Sequence, residues 1–362
     1  ALVFEPTPGN RVTPTQPEIA ALRLTVDDGF AAPVVDDVTT VVVLHAEVDR
    51  LLALGASGQD ASQASAAFGT SVAISGDTLV VGSPLRDTPA VDAGRVFVHE
   101  RNAGFGAPWG MVAEIAGADS VAGDRFGRAV AIDGDWLAVG APQADPGGTS
   151  NTGAVYLFRR NPSDPNAWLQ TVKLVAPVTN LFGGDSFGAA LALQGGTLLV
   201  GAPNSNTPGS TAGGRVFVFQ LGAGGPADWT LSQTLVASDT RSSGLLEDKG
   251  LFGTSVALDG NTAVVGAPGA NRATVSSGWN YGAAYIFTRA GAAMPWAETR
   301  RLDQFDDPAV SSFAGLGYSV DISGDRVVVG VHWEGRPWSQ NNPDKVRIHE
   351  RDHPVAGQWG LV

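Results

Sequence analysis

Three residues near the end of the chain, His349, Glu350 and His353, match the His-Glu-x-x-His pattern of zinc hydrolases. That chemistry needs a helix, because a helix brings residues i and i+4 side by side around one ion. Here the pattern follows the apolar alternation of residues 346–348 and ends before Pro354, which favours a strand and a turn. On a strand, positions four apart lie about 13 Å apart. We therefore predict no zinc site.

The rest of the sequence carries no phosphate-binding loop. Adjacent carboxylates are frequent, but neighbouring side chains on a strand or turn point apart, which favours solvated turns. Examples are Asp27-Asp28, Asp36-Asp37 and Asp306-Asp307. We predict a protein that is not an enzyme. The alternative is a polysaccharide-active protein whose two carboxylates come from distant loops.

One pattern recurs five times and determines the predicted fold. Each copy has a Phe-Gly pair, an alternating apolar stretch, a Gly-centred turn, a second apolar stretch and Gly-Ala-Pro or a variant. The copies open at Phe68, Phe126, Phe187, Phe252 and, in degenerate form, Leu316, at intervals of 58, 61, 65 and 64 residues. A period of this size indicates a repeat architecture.

Each copy predicts four antiparallel strands. Two alternating apolar stretches around a Gly turn predict a β-hairpin, since glycine accepts the positive φ of tight turns. A polar loop leads to a third strand, and a tryptophan marks the start of a fourth. These tryptophans, expected to pack between repeats, are Trp109, Trp168, Trp229, Trp296 and Trp359. The prediction is an all-β fold, a β-propeller of four-stranded antiparallel blades with five clear repeats.

The repeats resemble the FG-GAP family, the blade type of integrin α-subunit propellers and of many bacterial secreted proteins. The matching residues are Phe-Gly at 68–69, 126–127, 187–188 and 252–253, and Gly-Ala-Pro at 140–142, 201–203 and 266–268, with Gly82-Ser83-Pro84 as a variant. The fifth copy departs at both ends, with Leu316-Gly317 and Gly330-Val331-His332. The resemblance covers the chain from about residue 50 onward. It implies the fold, whereas function must be argued from a site.

Integrin-type blades often carry an acidic calcium loop between the first two strands. Calcium takes six to eight oxygen ligands. Here that turn is short, as in Ser75-Gly76-Asp77 and Asp133-Gly134-Asp135, and cannot surround the ion. We therefore predict no metal and no cofactor. The acidic stretch with Asp303, Asp306 and Asp307 is the alternative place for calcium.

Aromatic side chains concentrate in the loops that follow the second strand of the last two copies. These candidate binding residues are Trp279, Tyr281, Trp333 and Trp338, with Arg336 beside them. Adjacent blades would bring the two loops to one face. Exposed Trp and Tyr near Arg suit a protein interface or stacking on a sugar. The alternative is packing within the longer loops.

Residues 1–38 are predicted to form an extended Pro-rich arm before a propeller domain of residues 39–362. Four prolines before residue 18 exclude a helix or a central strand there. Residues 39–45 predict a strand, which would belong to a degenerate sixth blade, so five or six blades both stay open. The arm lies either on its own propeller or on a neighbouring subunit, with Leu2, Val3 and Phe4 as its apolar anchor. The second arrangement would build rings or filaments.

The composition of the chain limits which kinds of partner are expected. The hydrophobic fraction of 43% supports a packed core, and the net charge of −13 disfavours nucleic acid and anionic lipid. Cysteine is absent, which excludes disulfides, and no apolar run approaches the length of a membrane helix. Ala1 at the start fits removal of a secretory signal peptide. We therefore expect an extracellular, non-catalytic propeller for adhesion, protein interaction or self-assembly into a surface layer or filament. Its partner would be itself, another surface protein or a glycan, and the alternative is a polysaccharide-binding or polysaccharide-active propeller.

Overall fold

The computed structural model describes part of the chain. Up to residue 43 it describes only the backbone of five short strands, and the later described residues include their side chains. The described residues are 2–3, 18–21, 24–26, 34–36, 40–43, 66–87, 90–101, 109–177, 184–206, 213–239, 250–270, 282–303, 315–332, 345–352 and 359–361. Within them the secondary structure is β, apart from one 3₁₀ turn at Pro146–Gly148. The predicted all-β class is thus confirmed.

The chain divides into two compact units: Ala1–Leu52 with Asn102–Gly110, and Ala53–Arg101 with Met111–Val362. In the first, Leu2–Val3, Leu24–Val26 and Val34–Asp36 form a three-stranded antiparallel sheet. Glu18–Ala21 pairs with Thr40–Val43 in a second, two-stranded sheet. The strand predicted at residues 39–45 is therefore present, and the described strands of this unit make two small sheets rather than one four-stranded blade.

The remaining strands form five four-stranded sheets, each built from four strands consecutive in the chain. These are the predicted propeller blades. Blade 1 contains Ser71–Ser75, Thr78–Ser83, Arg95–Arg101 and Trp109–Ile115; blade 2 contains Ala129–Asp133, Trp136–Ala141, Ala154–Asn161 and Asp164–Val175; blade 3 contains Ala190–Gln194, Thr197–Ala202, Arg215–Leu221 and Trp229–Leu235; blade 4 contains Ser255–Asp259, Thr262–Ala267, Ala283–Thr288 and Ala297–Asp303; blade 5 contains Gly315–Ser323, Arg326–His332, Lys345–Arg351 and Trp359–Leu361.

The hairpin between the first two strands of each blade is as the sequence predicts. In blade 2, Asp133 pairs with Trp136, which leaves two residues in the turn. Gly134 has a φ of 55°, in the left-handed region that favours glycine. The short turn follows from this residue, and it leaves no room for a calcium loop at the same place.

Among the described residues, the hydrophobic core forms four clusters, one for each pair of consecutive blades. Between blades 1 and 2, Val96 and Val98 of a third strand cluster with Val130 and Ile132 of the next first strand. Fully burying such a side chain stabilises the fold by roughly 1.5–3 kcal/mol. Packing against neighbouring blades thus contributes to the stability of each blade.

The tryptophans of the fourth strands contribute to these clusters. Trp229, Trp296 and Trp359 are buried, each at a different blade boundary. Trp168 is half-buried against the cluster between blades 1 and 2. The predicted structural role is confirmed for these four.

Candidate functional site

The aromatic loop candidates fall in stretches outside the described residues. Trp279 and Tyr281 lie in residues 271–281, and Trp333, Arg336 and Trp338 lie in residues 333–344. Their role as a binding surface stays a prediction.

The arm candidates are placed in part. Leu2 and Val3 form a short strand whose backbone pairs with Val26 and Thr25 of the same chain. Phe4 lies outside the described residues.

The zinc-like motif lies on a strand. His349 is buried in the third strand of blade 5, where it pairs with Val327 and Leu361. Glu350 holds Arg326, with its Oε1 3.0 Å from the arginine Nε. His353 is outside the described residues. The described start of the motif, His349 to Arg351, is therefore a strand, as the sequence predicts, and not the helix that zinc hydrolysis needs.

Metal-ligating side chains do not converge in the part of the chain that the structure describes, where no group of three or more could hold an ion. Asp303, one of the acidic calcium candidates, is buried with its Oδ2 3.5 Å from the Nε of Arg301. The arginine supplies the counter-charge there. Asp306 and Asp307 lie outside the described residues.

The Phe-Gly and Gly-Ala-Pro motifs join one blade to the next. The Cα of Gly140 in blade 2 lies so close to the carbonyl group of Gly188 in blade 3 that a Cβ would collide with it. The same close approach links Gly82 with Gly127 and Gly201 with Gly253. The glycines of both motifs are thus required where neighbouring backbones meet.

The hairpin turns are linked by one hydrogen bond per boundary. The last residue of a first strand accepts a hydrogen bond from the turn glycine N–H of the following blade. The acceptor and donor pairs are Ser75 Oγ and Gly134 (3.0 Å), Asp133 Oδ2 and Gly195 (2.7 Å), Gln194 Oε1 and Gly260 (2.6 Å), and Asp259 Oδ2 and Gly324 (2.6 Å). The side chain at this position, whether Ser, Asp or Gln, therefore links one blade to the next.

An arginine at the end of a third strand reaches back to the preceding blade. Arg160 of blade 2 donates hydrogen bonds to Thr78 Oγ1 (2.5 Å) and Glu100 Oε1 (2.8 Å) of blade 1. Its Nε lies 3.3 Å from Asp135, and its guanidinium lies 4.7 Å from the ring centroid of Trp168. This stacked and paired arginine is called the arginine clamp below.

The arginine clamp recurs at two further boundaries. Arg289 contacts Thr197, Asn261 and Trp296, and Arg351 contacts Thr262, Asp325 and Trp359. Burial lowers the pKa of Arg289, although a guanidinium stays charged in proteins. This feature was not predicted from the sequence, although an arginine stands within one residue of the end of the third strand at positions 160, 289 and 351.

The boundary between blades 2 and 3 replaces the clamp with aromatic packing. Leu221 stands where the arginine would be, and Trp136 stands where the threonine would be. Trp136 meets Trp229 edge to face, with ring centroids 5.3 Å apart. The two changes suit each other, because an apolar pair needs no counter-charge.

A loop carboxylate also ties blade 2 to the chain before it. The Tyr156 hydroxyl donates to Asp119 Oδ1 (2.9 Å), and Lys173 Nζ donates to Asp119 Oδ2 (2.7 Å). Burial acts to raise the pKa of Asp119, but the hydrogen bonds from Lys173 and Tyr156 outweigh it and hold that pKa below its ordinary value. Burial raises the pKa of Tyr156. Both carboxylate oxygens are engaged, so the group serves as a tie.

Blade 4 repeats this tie with an arginine. The Tyr285 hydroxyl donates to Asp239 Oδ1 at 2.8 Å, and Arg301 pairs with Asp239 Oδ2. Burial strongly raises the pKa of Tyr285, so its hydroxyl stays protonated and can donate.

Blades 1 and 5 each have one face whose exposure differs from that of the faces between blades. Val72 and Ile74 on the first strand of blade 1 are 63% and 57% exposed, whereas Val130 and Ile132, at the same positions of blade 2, are each 8% exposed. Gly69 likewise has nothing within 4 Å of where its Cβ would be. This surface is called the blade 1 end face below.

Blade 5 shows the complementary exposure. Val346 and Ile348 on its third strand are 66% and 44% exposed, whereas Val96 and Val98, at the same positions of blade 1, are fully buried. This surface is called the blade 5 end face. The two end faces thus expose apolar side chains at positions that elsewhere form the core between blades.

The chain belongs to the FG-GAP repeat family. The family's repeat matches residues 59–99, 109–158, 168–219 and 229–287, which together exceed half of the chain. FG-GAP repeats are typical of extracellular proteins, and their propellers are generally non-catalytic.

No curated protein matches the chain. Among solved structures, the chain is similar to a protein from Lactobacillus plantarum with 12% sequence identity and a TM-score of 0.49, covering 81% of this chain and 70% of that one. At this identity and score the likeness carries no argument about function. Among the described residues, none forms a helix long and apolar enough to cross a membrane.

Proposed function

We propose that the protein is an extracellular interaction propeller without catalytic activity. It acts either in adhesion to another surface protein or as the subunit of a self-assembling surface layer or filament. The observation that carries this proposal is the pair of exposed apolar end faces, with Val72 and Ile74 on blade 1 and Val346 and Ile348 on blade 5.

Exposed apolar side chains that are grouped at core positions favour a binding surface. Isolated surface hydrophobics are ordinary, but a group at an interface position favours contact with a partner. Each of the four side chains, if it becomes fully buried, would contribute roughly 1.5–3 kcal/mol.

The oligomeric state of the purified native protein tests this proposal. Light scattering and negative-stain images are expected to show rings or filaments if the protein self-assembles. Single particles that capture a partner from the native cell surface would support adhesion. Single particles that bind no surface protein would contradict both.

A second candidate function is glycan binding at the aromatic loops. Trp279, Tyr281, Trp333, Trp338 and Arg336 supply the residue types that stack on sugars and donate to their hydroxyls. We expect Trp333→Ala with Trp338→Ala to weaken glycan binding while the melting temperature stays unchanged. A large drop in melting temperature without loss of binding would instead indicate loop packing. Turnover of the glycan would indicate a polysaccharide-active protein.

The N-terminal arm is the third element of the proposal. If Leu2, Val3 and Phe4 anchor it to a neighbouring subunit, deletion of residues 1–18 abolishes higher oligomers in size-exclusion chromatography. An unchanged oligomer would show that the arm is not needed for assembly.

A further inference from the structure

We propose that the partner of the end faces is a second copy of the chain, with the blade 5 end face of one copy packed against the blade 1 end face of the next. This contact would repeat the part of the internal contact in which the third strand of one blade packs on the first strand of the next. The inference rests on the proposed function and names the partner within it.

The apolar residues of the two end faces match each other. Inside the chain, the third strand of one blade clusters with the first strand of the next, as Val96 and Val98 do with Val130 and Ile132. Blade 5 offers Val346 and Ile348 in the third-strand positions, and blade 1 offers Val72 and Ile74 in the first-strand positions. These four side chains correspond to four members of that internal cluster, and all four are exposed.

The backbone elements match as well. Gly330 occupies the place of Gly82 in blade 5, and Gly69 occupies the place of Gly127 in blade 1. In the internal contact, a Cβ added at Gly82 would collide with the carbonyl oxygen of Gly127. Of the described residues, Ser319 of the same blade is the neighbour of a Cβ added at Gly330, and a Cβ added at Gly69 has no neighbour within 4 Å, so both positions allow another backbone to approach.

The two end faces also carry one pair of opposite charges, an acid on blade 5 and a base on blade 1. At the internal boundary Glu100 of blade 1 accepts a hydrogen bond from Arg160 of blade 2. Glu350 occupies the place of Glu100 in blade 5, and Arg101 occupies the place of Arg160 in blade 1. Glu350 already pairs with Arg326 and Arg101 with Asp77, so the contact would form a network of four charges. Such a network predicts association that weakens as salt rises.

Two departures limit the strength of the contact. Asp321 on the blade 5 end face stands where the four other blades have alanine, and desolvating a carboxylate is unfavourable. Phe97 and His99, on the same side of blade 1 as Ile74, are already buried, so the contact is confined to the half that carries the first strand. We therefore expect reversible, concentration-dependent association. Because the two faces differ, the contact is head-to-tail and leads to rings or filaments.

Cysteine cross-linking of the full-length chain tests the contact, because the natural sequence has no cysteine. We expect a mixture of Ile74→Cys and Ile348→Cys to give a disulfide-linked mixed dimer on oxidation, well above the level of either variant alone. Leu169→Cys is the matched control, since Leu169 is 53% exposed on an outer strand of blade 2. Its mixture with Ile74→Cys is expected to give no mixed dimer.

Three outcomes would overturn the inference. An internal link in the monomeric double variant would show that blades 1 and 5 meet within one chain. Dimers of one variant with itself would show contact between like faces. Absence of any link at the highest soluble concentration would show that another molecule or segment takes these faces. In each case the proposed interaction function could still hold with a different partner.

An association measurement provides the second readout. Ile348→Asp places a carboxylate in the proposed contact and is expected to weaken self-association by at least about tenfold, with an unchanged melting temperature of the monomer. Leu169→Asp is expected to leave association unchanged. Equal association of the two variants would contradict the inference.

Discussion

Arg160 of blade 2 and Glu100 of blade 1 form an ion pair of 2.8 Å across a blade boundary, and their side chains are 17% and 19% exposed. Arg160→Leu removes the cation and leaves the half-buried carboxylate without it. We expect the free energy of unfolding to fall by about 1–3 kcal/mol, because an uncompensated charge in a shielded site is unfavourable. Urea unfolding followed by tryptophan fluorescence measures this change.

A double-mutant cycle with Glu100→Gln separates the pair from general effects of substitution. Arg128→Ala, at an exposed arginine of the same blade, serves as control and is expected to change stability by less than about 0.5 kcal/mol. If Arg160→Leu and Arg128→Ala have the same effect, the arginine clamp does not stabilise the boundary.

The boundary between blades 2 and 3 allows the opposite experiment. Leu221→Arg restores the arginine of the clamp at this boundary. Its counterpart in blade 2 is Arg159, which occupies the position that Glu100 holds in blade 1. We expect a loss of at least about 1 kcal/mol, since like charges meet in a partly shielded site. Adding Arg159→Glu and Trp136→Thr rebuilds the clamp and is expected to recover most of the loss. Failure of the triple variant to recover would show that the aromatic packing, and not charge, decides this boundary.

The blades and the tryptophans packed between them were predictable from the sequence, while the polar contacts between blades were not. Phe-Gly, the turn glycine and the fourth-strand tryptophan are local signals, since each marks its place by its own backbone or volume requirement. The partners of Arg160, in contrast, include Thr78, far away in the sequence, and the pairing depends on how two blades register. The exposure of Ile74 and Ile348 likewise depends on the position of their blades, because the equivalent residues of the internal blades are buried by a neighbouring blade. Only the three-dimensional arrangement shows it.

Gly140 tests the requirement for close backbone approach. A methyl group at this position would collide with the carbonyl of Gly188, and a backbone cannot move aside as a flexible side chain can. We expect Gly140→Ala to lower the free energy of unfolding by roughly 2–3 kcal/mol, in the range of overpacked cores. Gly291→Ala is the control, because nothing lies within 4 Å of its added methyl. Similar melting temperatures for both variants would rule out a need for glycine at the blade boundary.

The tyrosine ties of blades 2 and 4 can be removed one hydroxyl at a time. Tyr285→Phe deletes the donor to Asp239, and Tyr156→Phe deletes the donor to Asp119. Each carboxylate keeps its cation, Arg301 or Lys173, so we expect losses of only about 0.5–1.5 kcal/mol. Thermal unfolding measures them. A gain in stability from either variant would mean that the buried hydroxyl destabilises the fold despite its hydrogen bond to the carboxylate.

His99 makes the fold sensitive to acid. The side chain is 2% exposed, its Nδ1 has no hydrogen-bond partner among the described residues, and burial lowers its pKa below the ordinary value of 6.5. The folded state therefore holds a neutral imidazole, while the unfolded state takes up a proton as the pH falls below about 6.5. Stability is fully present above that pH and is lost as the pH falls toward the lowered pKa, by at most about 1.4 kcal/mol per pH unit. Blades 2, 3 and 4 carry Phe158, Phe219 and Phe287 at this position.

His99→Phe removes the titrating group in favour of the residue that these blades use. We expect its melting temperature to exceed that of the natural protein by more at pH 5 than at pH 8, because the variant lacks the proton uptake on unfolding. Calorimetry at the two pH values measures the difference, with pH 8 as the internal control. If the gain were equal at both pH values, the substitution would act through packing alone and the acid sensitivity would have another source.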